Sequence, residues 1–100
     1  MSVTTVTKEN FKAFTQSEKP VLLDFWASWC GPCRMVGPIV EEIARERTDV
    51  AVGKVNVDEE MELAMQFGVS SIPTLVVLKN GQTVARAVDY RPKAEIEKLL

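Results

Sequence analysis

Val21, Leu22, Leu23, Asp24, Phe25, Trp26 and Ala27, followed at once by Ser28, Trp29, Cys30, Gly31, Pro32 and Cys33, form the stretch on which the fold turns. The first seven residues are almost continuously apolar, the pattern of a central strand covered on both faces, and Asp24 is the exception in it. Beyond Cys30, the positions Met35, Val36, Ile39, Val40, Ile43 and Ala44 recur at three-to-four spacing, which predicts a helix ending near Arg47. Pro38 falls inside that pattern, where it removes a backbone donor and is expected to bend the helix without ending it. A strand that feeds directly into a helix is the first half of a βαβ unit.

Working outward, the valine-rich segment Val50 to Val57 supplies the second strand, parallel to the first across the helix. A short helix is expected from about Glu59 to Phe67, stopped by Gly68 as its C-terminal cap. The loop Val69 to Pro73 then leads to a strand from Thr74 to Leu78. Asn80 and Gly81 signal a hairpin that returns the strand Gln82 to Val88 antiparallel. Pro92 suits the first turn of a final helix whose Ile96, Leu99 and Leu100 dock inward. On the N-terminal side, Thr7 is placed to cap a helix running to about Glu18, with Phe11, Ala13 and Phe14 as its apolar face. These elements describe an α/β fold of three layers, α/β/α, in which a central mixed sheet carries helices on both faces. No repeat or linker divides the chain, so residues 1–100 are read as a single domain.

Composition narrows the classes of function. With 12 basic and 14 acidic residues the charge is nearly balanced, so there is no basic field for a phosphate backbone or an anionic lipid surface. Nucleic acid and membrane are not expected partners. No window approaches the roughly 20 consecutive apolar residues of a membrane span, and Met1 to Pro20 contains no signal-peptide core. A cytoplasmic location is the expectation. The acidic run Asp58, Glu59, Glu60 and Glu62 reads as a solvated helix face.

The two cysteines, three positions apart, are spaced for chemistry and not for stapling distant parts of the chain. At i and i+3 across a helix start they can meet within disulfide range and open again without refolding. Unpaired backbone N–H groups and the positive end of the helix dipole favour a thiolate at Cys30, the first exposed position, making it the expected nucleophile. Cys33, one turn in and more shielded, is suited to attack the resulting mixed disulfide. Gly31 permits close approach of a disulfide substrate, and Pro32 fixes the first turn without adding charge. A histidine between the cysteines would make the pair more oxidising; the chain has none, which favours a reductant. The alternative, half of a zinc site, lacks further cysteines and any histidine, and would need a second chain.

Phe25 to Met35, followed by Pro38, closely resembles the active-site segment of the thioredoxin family. Asp24, Lys54, Asn56, Asp58, Ile72, Pro73, Thr74, Asn80 and Gly81 also fall in the family's order, so the resemblance covers nearly the whole chain. It implies the thioredoxin fold and a thiol-disulfide oxidoreductase that reduces protein disulfides. It further implies that Asp24 is the buried carboxylate that helps deprotonate Cys33, a place where burial independently predicts a raised pKa. Lys54 is implied as the basic residue able to pair with it; a solvated lysine on a strand is the alternative. Pro73 matches the family's cis-proline, against the general preponderance of trans X-Pro bonds, and its loop would offer backbone hydrogen bonds to an extended peptide. Trp29 matches the exposed ring beside the motif.

The substrate-facing set is then Trp29, Gly31, Pro32, Ile72, Pro73 and Asp89. Asp89 departs from the family, which places a glycine there. Its carboxylate either adds negative charge beside Cys30 or points harmlessly to solvent. No bound cofactor or metal is implied. The expected partners are disulfide-containing proteins and a separate NADPH-dependent thioredoxin reductase, with the chain itself a monomer. Two other readings use the same features: a disulfide oxidant or isomerase, and a binding subunit in which the thiols are dispensable.

Overall fold

A computed structural model describes residues 3–100. Its elements in chain order are β1 (Thr4–Thr5), α1 (Phe11–Thr15), β2 (Val21–Trp26), α2 (Gly31–Glu46), β3 (Ala51–Asn56), α3 (Met61–Gln66), β4 (Thr74–Lys79), β5 (Gln82–Val88) and α4 (Lys93–Glu97). The strands form one mixed sheet in the order β1-β3-β2-β4-β5. β1 and β2 both run parallel to β3, and β4 runs antiparallel to β2 and β5. β2 is therefore central, with every residue from Val21 to Phe25 buried.

Alternation along β2 divides the core in two. Leu22 joins Val52, Leu75 and Val77 beneath Val36, Val40 and Ile43 of α2 and Ile96 of α4. Val21, Leu23 and Phe25 join Val55, Val76 and Leu78 on the opposite side, against Leu63 of α3 and the partly buried Phe11, Phe14 and Phe67. The ring of Phe67 meets Phe11 edge-on at 5.7 Å and Phe25 at 5.5 Å, both within the range of favourable aromatic pairs. Lys93 ties α4 to α2 by reaching Glu42 at 2.9 Å and Glu46 at 2.6 Å. Gly53 of β3 sits where a Cβ atom would lie 2.5 Å from Val6 Cγ2 and 2.9 Å from the Phe14 ring, so only glycine lets β1 and α1 close on the sheet.

Several elements differ from expectation for local reasons. Thr7 and Asn10 bond reciprocally, the Thr7 N–H donating to Asn10 Oδ1 at 2.8 Å and the Asn10 N–H to Thr7 Oγ1 at 3.3 Å. That closes a turn, so α1 starts at Phe11 and ends at Thr15, well short of Glu18. Ala13 faces solvent, and Thr15 is buried with its hydroxyl donating to the Phe11 carbonyl at 2.9 Å. The amides of Glu59 and Glu60 turn back to the Asn56 carbonyl, which delays α3 to Met61. Gly68 does end α3: its φ of 63° allows the paired bonds from its own N–H to Met65 O and from Val69 N–H to Ala64 O. α2 continues through Pro38 to Glu46, but its buried stripe is narrower than the periodicity implied, and Met35 lies outside it, 58% exposed. Pro92 caps α4 in extended geometry and does not enter its first turn.

Candidate active site

The end of β2 and the start of α2 converge where Ala27, Cys30 and Cys33 are buried together, with Trp26, Val57 and Ile72 packed around them. Cys30 is the N-cap of α2, held in extended backbone geometry at φ −91° and ψ 113°, with Gly31 and Pro32 opening the first turn. This places Cys33 at the third helical position, and its backbone N–H points to Cys30 Sγ at 3.2 Å. A sulfur thus occupies the place of a capping oxygen, receiving one of the helix's otherwise unpaired donors. The same geometry brings the two Cα atoms to 5.3 Å, and the cysteines are joined as a disulfide. Gly31 and Pro32 are exposed beside them.

Whole-residue exposure does not separate the two cysteines as the sequence suggested: each is 5% exposed, because the turn after Trp29 folds Cys30 in against Ile72. What separates them is polar surroundings. Cys30 Sγ faces the Cys33 amide on one side and the Ile72 carbonyl oxygen, 3.7 Å away, on the other.

Asp24 lies on β2 in register with Lys54 of β3 and Leu75 of β4. It is 1% exposed, and neither carboxylate oxygen has a hydrogen-bond partner. Burial pushes its pKa up to about 7, and the positive charge of Lys54 only partly offsets this. The Lys54 ammonium is not in ion-pair contact with that carboxylate; it sits over the Trp26 ring, 4.7 Å from its centroid. Strand pairing brings Asp24 and Lys54 side by side, while the ring draws the ammonium outward.

Ile72 and Pro73 lie at the head of β4, joined by a cis peptide bond. Pro73 is buried, and its carbonyl accepts the Asp89 N–H at 2.8 Å, which fixes the end of β5 against this loop. The Thr74 hydroxyl donates to the Ser71 carbonyl at 2.5 Å from the other side. Asp89 adopts φ 79°, a left-handed backbone in which glycine is at home, and its carboxylate accepts the Tyr90 N–H at 3.0 Å. Its charge is engaged within its own turn, and the side chain remains exposed.

Trp29 is 66% exposed and forms one wall of a shallow groove completed by Val57, Val69, Ser70 and Ile72. Its Nε1–H donates to Asp58 Oδ2 at 2.9 Å. The sequence places Asp58 in an acidic run read as a solvated helix face, and the structure gives it this partner. Two signals point to it: its place in the thioredoxin family's order, and its position two residues past the end of β3, whose last residue, Asn56, pairs with Trp26 at the end of β2. Val57, Val69 and Ser70 carried no chemical signal at all. Among the described residues, no three or more histidine, cysteine, aspartate or glutamate side chains gather as a metal site, and no helix is long and apolar enough to cross a membrane.

Comparison with known proteins agrees with this arrangement. The family model described as Thioredoxin matches residues 2–100. A thioredoxin of Alicyclobacillus acidocaldarius is 51% identical over 94 residues, covering 93% of this chain and 90% of that protein. A thioredoxin of Bacillus subtilis is 46% identical over 101 residues, covering 100% and 96% respectively. Among solved structures, that of the Malassezia sympodialis thioredoxin superposes with a TM-score of 0.88 at 38% identity, covering 98% of this chain and 88% of that one. A buried cysteine pair at a helix N-terminus, set in the expected α/β/α fold, is thus matched across the whole length by proteins of one kind. The chain belongs to the thioredoxin family and is a protein thiol-disulfide oxidoreductase.

Proposed function

We propose that this protein works as a cytoplasmic dithiol reductant, with Cys30 as nucleophile and Cys33 as resolving thiol. In the reduced protein, Cys30 thiolate attacks one sulfur of a substrate disulfide, forming a mixed disulfide and expelling the other substrate sulfur as a thiolate. Cys33, deprotonated by Asp24, then attacks Cys30 Sγ and releases the second substrate thiolate. Two electrons pass to the substrate, Cys30 and Cys33 become a disulfide, and the two thiol protons end on the substrate sulfurs or in solvent. The observation that carries this reading is the capping of α2 by Cys30 Sγ. The Cys33 amide and the helix dipole favour negative charge at Cys30 and offer none of that help to Cys33.

Asp24 is the internal base, because a carboxyl with its pKa near 7 can accept a thiol proton at neutral pH. Lys54 acts through Asp24, limiting how far burial raises it. Trp29, Gly31, Pro32, Ile72, Pro73 and Asp89 border the face on which an extended substrate segment lies, and the Ile72 carbonyl beside Cys30 supports such backbone pairing. The protein acts as one domain and as a monomer, without a bound cofactor. Its dithiol is regenerated by a separate thioredoxin reductase drawing on NADPH. Neither nucleic acid nor membrane takes part.

A redox titration in graded dithiol buffers, read by the fluorescence of Trp26 and Trp29, tests the direction of transfer. The reductant shows a two-electron transition well below the glutathione potential; a transition near or above it means an oxidant or isomerase. No reversible transition leaves a binding subunit as the better reading.

A further inference from the structure

Arg86 lies on β5, one of the two edge strands, paired in register with Val76 and remote in sequence from the cysteines. Its guanidinium does not end in solvent. Nη1 donates to the Phe67 carbonyl and Nη2 donates to the Gly68 carbonyl at 2.9 Å. These carbonyls close α3, where the helix leaves acceptors unpaired and its dipole is negative, so a fork of two donors suits them in both geometry and charge. The chain that leaves this clamp is the groove wall: Val69 and Ser70 line the groove, and Ile72 puts its carbonyl against Cys30 Sγ. The far end of the same segment is held by Thr74 on the Ser71 carbonyl and by the Asp89 amide on the Pro73 carbonyl. The near end has the clamp and the turn at Gly68.

We propose that Arg86 is a positioning residue for protein substrates: by clamping the C-terminus of α3 from β5, it holds residues 69–72 as a preformed wall of the docking groove. The inference rests on the reading of that groove as the substrate-binding face. A preformed wall matters only to a substrate long enough to lie along it. A protein disulfide therefore depends on Arg86, and a small disulfide that reaches Cys30 without touching the wall does not. The thiol chemistry itself is not altered.

The test compares wild type with Arg86→Gln, which loses the fork, and Arg86→Lys, which keeps a single donor group. Each is assayed with dithiothreitol as electron source on two oxidants, insulin and a low-molecular-weight aromatic disulfide. For insulin, Arg86→Gln should raise KM about fivefold with kcat nearly unchanged, which corresponds to about 1 kcal/mol of lost docking energy. Arg86→Lys should fall between the two. Rates with the small disulfide and the redox potential should match wild type, neither of which a general loosening of the fold would spare. An unchanged insulin KM in the folded variants overturns the proposal, as does a parallel loss on both oxidants. Should Arg86→Gln not fold, Arg86→Lys decides: a rise of about twofold in KM confined to insulin supports the clamp, and a wild-type value rejects it. Failure of the wild-type protein itself to reduce insulin would reject the reading of the groove and leave the small-disulfide comparison as the control.

Discussion

The two faces of β2 are made from neighbouring residues and are put to different uses. Val21, Leu23 and Phe25 point to a layer closed by the rings of Phe11, Phe14 and Phe67, with no charged residue buried in it. One residue over, Leu22, Asp24 and Trp26 share the other face by alternation, and there a carboxylate is buried without a partner in the strand that leads into the cysteine turn. The first face lowers the free energy of the fold. The second stores unfavourable free energy in a charge that the surroundings resist, and that resistance places a proton acceptor in the working range of a thiol.

Substitutions can break this contrast or sharpen it. On the chemical side the largest effect comes from Cys30→Ser, which should reduce disulfide turnover to the uncatalysed background while leaving the fold intact. Cys33→Ser should instead accumulate a mixed disulfide with substrate, visible by mass spectrometry. On the apolar side, Phe25→Ala should lower stability by about 3–5 kcal/mol in denaturant titration and leave the potential of the cysteine pair unchanged.

Asp24→Asn reverses both signs. Resolution by Cys33 should slow on the order of a hundredfold, the lower end of what a positioned base contributes. Stability at pH 8 should rise by about 4 kcal/mol, because the folded pKa of about 7 stands above the ordinary carboxylate value of 3.8. The sign follows from proton uptake. Between these two pH values the folded carboxyl holds a proton that the unfolded one has lost, so wild-type stability falls as pH rises through this window. The advantage of Asp24→Asn should therefore vanish near pH 4. Lys54→Met removes the charge that opposes burial, so the rise of the resolution rate with pH should move above pH 7. The smallest effect is Asp89→Gly, which relieves a left-handed backbone and should add about 1 kcal/mol of stability with little change in turnover.

Much of the first face and the core of the second were legible in the sequence, because their signals are local. The run from Val21 to Ala27, the spacing from Val36 to Ala44 and the Asn80-Gly81 turn each state their structure within a few residues; the two turn residues do adopt φ 54° and 78°. Cys30 and Cys33 were legible for the same reason. β1 was not, since two threonines carry no period and gain their strand only by pairing with Gly53 and Lys54. The contacts of Asp58 and Arg86 were not, because each residue acts on a partner far along the chain, and a charged side chain in sequence does not announce where it will be spent. Asp89 was noticed as a departure, but the reason a glycine suits that place is a backbone angle that only the folded chain displays.

Gly53 sets a limit of another kind. With Val6 and Phe14 standing where its Cβ would go, even alanine must push those two side chains out of their places in the core. In a saturation library selected only for folding, position 53 should stand out as a column with one survivor, inside a strand whose valines can be exchanged for other branched residues. The smallest side chain in the sheet thus leaves the least room for change at its position.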